Sequence, residues 1–94
     1  MRRYYLHMNH LTGLILDREG SEHDHIDAVI EEAHEGIRHQ VADDIRGNRQ
    51  LTLWSIRICD GNGNLLREVF TSETISDIVA VAFLDVPSLD GTPT

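Results

Sequence analysis

The stretch DHIDAVIEEAHEGIRHQVADDIR, residues 24–46, decides the fold. Ile26, Ile30, Ala33, Ile37, Val41 and Ile45 recur in it at spacings of three and four, the apolar stripe of an amphipathic helix, and Val29 widens that stripe. Asp27, Glu31, Glu35 and Arg38 fall on the other side. Asp24 is the expected N-cap, with Asp27 three residues on in the capping-box position; Ser21 competes for the same role. Gly47-Asn48 supplies the stop. Gly36 lies inside the helix, where it costs about 1 kcal/mol against alanine. It reads as a point of close approach between helix and sheet.

On both sides of this helix the apolar period drops to two. Residues 3–9 alternate, with Tyr4, Leu6 and Met8 facing one way and Arg3, Tyr5, His7 and Asn9 the other, as in a strand. Gly13 marks a turn, Leu14-Ile15-Leu16 return as the second strand of a hairpin, and residues 17–20 follow as a polar loop. Beyond the helix, residues 51–59 alternate again. Leu51, Leu53 and Ser55 share one face; Thr52, Trp54, Ile56 and Ile58 share the other. Asp60-Gly61-Asn62-Gly63-Asn64 holds overlapping Asp-Gly and Asn-Gly hairpin signals, and residues 65–71 form the returning strand. The expected fold is one α+β domain over residues 1–75, a small antiparallel sheet in ββαββ order with one long helix on one face. Residues 76–94 are expected as an apolar C-terminal extension. Ile75, Ile78, Val79, Ala82 and Phe83 suit a helix capped by Ser72, while residues 78–84 suit an added strand equally well. Pro87 ends either one, and the last residues should fray.

Ninety-four residues leave room for one domain. A chain of this size buries only about 60–65% of the surface that its unfolded form exposes, so its stability is marginal without a partner, metal or disulfide. The single cysteine, Cys59, rules out an internal disulfide and fits a reducing compartment. The basic opening lacks an apolar run behind it, because Asn9 and His10 interrupt, so a secretory signal is not expected. No apolar run approaches the ~20 residues of a membrane span. The expected location is the cytoplasm. A formal net charge of −8, with no lysine and all cationic charge on arginine, disfavours nucleic acid as a partner. Charging all six histidines brings that −8 to −2, so surface charge falls steeply between roughly pH 7 and pH 5.

Several short motifs occur in a fixed order: Arg3-Tyr4-Tyr5-Leu6-His7, then Asp17-Arg18-Glu19-Gly20-Ser21-Glu22, then the Ala- and Glu-rich helix. Trp54-Ser55-Ile56-Arg57-Ile58-Cys59-Asp60 with Gly63, and finally Val69-Phe70, complete the set. In that order they resemble a family of short bacterial proteins known as a domain of unknown function. Its members open Arg-Tyr-aromatic-aromatic-His, continue with an Asp-x-Glu-Gly-x-Glu turn, and close with an aspartate–glycine hairpin and a Val-Pro-Phe strand. The resemblance spans residues 2–75. Leu6 departs from it where an aromatic is usual, and Glu68-Val69 where Val-Pro is usual. It implies no activity, cofactor or catalytic residue.

The residues with chemistry to offer read mostly as structural. His7 and His10 make an H-x-x-H pair, but on a strand that spacing sends the rings to opposite faces. His23-Asp24-His25, just before the helix, could hold a borderline metal if His7 or His10 folded nearby, yet no CxxC or HExxH spacing supports it. His34, on the edge of the stripe, reads as a partner of Glu31 on the helix flank. Cys59 reads as a small half-buried strand residue. Asp60-Gly61-Asn62-Gly63-Asn64 starts like a calcium loop, but its twelfth position is Thr71 rather than glutamate, so it reads as a turn. No catalytic, cofactor-binding or metal-ligating residue is assigned. The expectation is a non-enzymatic protein that acts through protein–protein contact, as a homodimer with a further partner unspecified, and without nucleic acid, membrane or cofactor. The dimer follows from the open sheet face, toward which Tyr5, Leu53 and Leu65 or Leu66 are expected to point, with the extension packing there too. A small metal- or ligand-binding protein using His7, His10, His23 and His25 is the competing reading.

Overall fold

The computed structural model describes residues 1–76 of the chain. The expected extension, residues 76–94, falls outside the described residues except for its first position. Strand β1 (Arg2–His10) is followed by β2 (Gly13–Ile15), β3 (Ser21–His23), helix α1 (Ile26–Arg46), β4 (Leu53–Cys59) and β5 (Leu65–Phe70). Residues 71–76 are helical. The strands form an antiparallel sheet in the order β2-β1-β4-β5, with β3 also paired to β1. This is the expected α+β architecture, one long helix on a small antiparallel sheet, with an additional short strand ahead of the helix.

That strand, β3, occupies residues assigned from the sequence to the loop and helix entry. β2 and β3 are two pieces of one returning strand along β1: Met8 faces Ile15, Tyr4 faces Ser21, and residues 5–7 of β1 face residues 16–20. Three residues cannot pair with five, so the return breaks. The break is closed by a side chain. The Leu6 N–H donates to Asp17 Oδ2 at 3.1 Å, in place of a strand carbonyl. The Glu19 and Gly20 N–H groups donate to Asp17 Oδ1 at 3.2 and 3.0 Å. Gly20 has φ +72, and a Cβ there would lie 2.8 Å from the Tyr4 carbonyl oxygen, so the turn requires glycine.

Helix α1 begins one residue later than expected. His25, in extended conformation, is the N-cap and makes no side-chain cap bond, so neither Asp24 nor the Asp27 capping box acts. β3 explains this, since pairing with β1 runs to His23 and leaves two residues to turn the chain into the helix. Val29, Ala33, Ile37 and Val41 are buried against Tyr4, Leu53, Ile56, Ile58 and Val69, with Leu6, Met8, Ile26, Ile30 and Ile75 packed around them. At the last turn the expectation fails: Ile45 is 68% exposed and Asp44 is buried in its stead. Asp44 Oδ1 accepts from Gln40 Nε2 at 3.1 Å and from Arg49 Nε at 3.2 Å, and its carbonyl accepts the Arg49 N–H, which fastens the helix end to the chain that follows. Gly36 is not a forced approach, for a Cβ there would meet Ile56 Cδ1 at an ordinary 3.5 Å.

Leu53 also lies in the core, against the expectation that it faces away, and Trp54 is 53% exposed. A register shift explains both. Asn9 pairs with Ser55 and His10 with Leu53, so Trp54 is bulged out and the alternation changes phase on crossing it. The β4–β5 turn follows the hairpin reading. Asp60 Oδ1 accepts the Asn62 and Asn64 N–H groups at 2.9 Å, and Gly63 has φ +84. The backbone and side-chain donors of Asn64, joined by the Asn62 N–H, hold the Asp60 carboxyl below its ordinary range. Residues 71–76 turn toward α1: Ile75 packs on the core, and fully buried Thr74 meets His34 Nδ1 at 2.7 Å. The helix start is not capped by Ser72; Glu73 reaches back to the Phe70 N–H at 2.8 Å. Ile75 thus has a place in the core, and the described end of the chain lies on the helix side of the sheet, away from the face where the extension was expected.

Candidate functional site

The sheet face opposite α1 collects the side chains that the core excludes. Because Ile56, Ile58 and Val69 point into the core, alternation sends Ser55, Arg57 and Glu68 to the other side. Across the strands His7, Arg57 and Glu68 stand in one row, Leu14, Asn9, Ser55 and Phe70 in the next, and Tyr5 faces Cys59. Ser55 is fully buried; it accepts from Asn9 Nδ2 at 3.3 Å and donates its hydroxyl to Glu68 Oε2 at 2.5 Å. Trp54, thrown out by its bulge, meets Phe70 edge-on with centroids 6.3 Å apart, and Tyr5 stacks along His7 at 6.4 Å. Leu14, Leu65 and Phe70 are exposed as well. Arg57 makes no ion pair among the described residues, and its Nε is buried without a hydrogen-bond partner.

The histidines singled out from the sequence do not assemble. His7 Nδ1 accepts the Asp17 N–H at 3.0 Å, which places the ring hydrogen on Nε2. His10 Nδ1 meets Thr52 Oγ1 at 2.9 Å. His23 Nε2 meets Glu32 Oε1 at 2.6 Å, a carboxylate it shares with the Ser21 hydroxyl, and His25 is the helix N-cap. His23 pairs with Arg2, five residues along β1 from His7 and eight from His10, roughly 16 and 26 Å on strand spacing. His34 bonds Thr74 rather than Glu31, which with Glu35 holds Arg38 instead. Among the described residues no three His, Cys, Asp or Glu side chains come together in a set that could hold a metal. Each of these four bonded histidines ties one element to another.

Cys59 is buried, 7% exposed, more deeply than expected. Burial pushes its thiol up, with Asp60 reinforcing and Arg57 opposing, so at neutral pH it is a thiol and not a thiolate. Two shallow depressions lie elsewhere. One of about 360 Å³ sits between Arg2, Arg3, Tyr4 and the Asp60–Asn62 turn; one of about 330 Å³ lies on the outer face of α1 among Glu35, Arg38, His39, Ala42 and Arg46. Neither joins a nucleophile to a base. No helix among the described residues is long and apolar enough to cross a membrane.

The first two short motifs of the chain, residues 3–7 and 17–22, converge on one region. Arg3 donates to the Glu19 carbonyl at 2.7 Å and pairs with Glu22 at 3.0 Å, Tyr4 fills the core, and His7 and Gly20 both bond Asp17. Residues 3–72 match the model of the family described as Domain of unknown function (DUF6894). The chain belongs to that family. No curated protein and no solved structure matches it. The match runs from β1 to the first residues after β5, so the sheet, α1 and the Asp17 turn all lie within the family's extent.

The row His7–Arg57–Glu68 and the Trp54–Phe70 contact were not singled out from the sequence. Arg57 and Glu68 could have been found, because they oppose core positions on adjoining strands. Trp54 could not, since an unbroken alternation places it with Ile56 in the core.

Proposed function

We propose that this member of the family is a non-enzymatic cytoplasmic protein that works by contact with another protein chain, and self-associates, through the sheet face opposite α1. One observation carries the reading. α1 covers one face of the sheet, and the other presents Leu14, Trp54, Leu65 and Phe70 to solvent around a polar row. Apolar side chains grouped on one face and bordered by polar ones mark a contact surface more often than scattered ones do. The lack of an activated nucleophile at Cys59 and the separation of the histidines favour contact over catalysis.

Sedimentation velocity across a concentration series tests it. The wild type is expected to dimerise. Trp54→Ser with Phe70→Ser is expected to stay monomeric with its melting behaviour little changed, because both side chains are exposed. A wild type that remains monomeric at every concentration overturns the self-association.

A further inference from the structure

We infer that two copies of the chain meet open face to open face about a two-fold axis passing between Arg57 and Glu68, so that Arg57 pairs with Glu68 of the partner subunit and the reverse pair forms by symmetry. The inference deepens the contact reading above and rests on it.

Arg57 and Glu68 face each other across β4 and β5, yet they form no ion pair with one another or with any other described residue. Among the described residues Glu68 takes only the Ser55 hydroxyl, on Oε2, and Arg57 Nε has no acceptor. The other charges of this face are occupied, Arg3 by Glu22 and Glu19, and the His7 Nδ1 by the Asp17 N–H. A cation and an anion side by side, neither in an ion pair among the described residues, are self-complementary under a two-fold rotation, since an isologous contact brings each onto the other.

The alternatives in this molecule are worse for a second copy. The outer face of α1 carries Asp27, Glu31, Glu35 and Asp43 against Arg38 and Arg46, so two chains of formal charge −8 would meet there with like charges. Pairing through the β5 edge fails for another reason. Antiparallel self-pairing about a two-fold matches residues of the same face, and the two registers of longest overlap centre on Arg67 or Glu68, setting a charge against its own copy. Four strands about 4.8 Å apart and about six residues long at 3.3 Å each give a contact about 20 Å square. That lies at the small end of specific interfaces, so a dissociation constant in the micromolar range is expected.

The test is sedimentation equilibrium on the full chain and four variants, with circular dichroism as the fold control. Arg57→Glu and Glu68→Arg are each expected to weaken dimerisation at least about tenfold, and the combined Arg57→Glu/Glu68→Arg chain to recover to within about threefold of wild type. Glu68→Gln keeps an acceptor for Ser55 while removing the charge; it is expected to weaken the dimer with the fold unchanged, and it decides the case in which a reversal disturbs folding. A dimer indifferent to Arg57→Glu and Glu68→Gln overturns the pairing and leaves the contact surface standing. A monomeric wild type overturns both.

Discussion

The Asp17 carboxylate stands in for a missing stretch of strand. Burial raises its pKa, and the Gly20, Leu6 and Glu19 N–H groups together outweigh that effect, so the carboxyl sits below its ordinary 3.8. A depressed carboxyl stabilises the fold above its unfolded pKa and loses that contribution as the pH falls through the lower folded value. Asp17→Asn is therefore expected to cost about 1–3 kcal/mol at pH 7, where charged hydrogen bonds are lost. The gap from wild type should close as the pH falls below the ordinary 3.8, read as melting temperature against pH; a gap independent of pH would remove the charge from the account. Gly20→Ala strikes the same turn through its backbone. With positive φ and a Cβ held against the Tyr4 carbonyl, it is expected to destabilise by about 2 kcal/mol or more, measured by urea unfolding.

At the scale of elements, α1 was the most legible part of the sequence. Its stripe repeats over five turns, so a period of 3.6 stands out from noise, and Ile37 at its centre is fully buried. Ile37→Asp is expected to prevent folding, since it sets an unpaired charge among Ile56, Ile58 and Val69; a circular dichroism melt like that of the wild type would refute the packing. Gly36→Ala should act the other way. Its Cβ finds ordinary contact distance and the helix gains propensity, so a stabilisation of about 0.5–1 kcal/mol is expected in the same unfolding experiment. The helix ends were less legible because tertiary demands decided them: pairing of β3 displaced the cap, and Asp44 rather than Ile45 turned inward to hold Arg49. β3 itself was hidden, as three residues carry no period. The bulge at Trp54 was hidden for a related reason. Alternation reads a face correctly until one extra residue reverses it, and nothing in Leu53-Trp54-Ser55 marks where that residue lies. The candidate site inherited this error, and its aromatic edge emerged only from the register.

For the whole molecule, the histidines decide between the two readings that the sequence left open. Untagged protein is expected to carry no stoichiometric zinc, nickel or copper by elemental analysis. About one metal per chain, lost in His23→Ala/His25→Ala, would restore the ligand-binding reading. The six histidines matter in another way, because charging all of them would take the formal balance from −8 to −2, and solubility at low salt is expected to fall across that range of charge. Light scattering through that range measures it. The broken return of β2 and β3 bears on what such an association can become. A strand arriving at that edge would meet two three-residue rails set two positions out of step, with the Asp17 turn projecting between them. Among the described residues the sheet therefore has only one edge, β5, on which another ladder could be laid. Growth from a single edge stops after one addition, since the newcomer's own usable edge is consumed in joining. With the charge self-contact at β5 opposing even that one addition, a concentrated or partly neutralised sample is steered away from fibrils, by a kink no longer than five residues at the other edge.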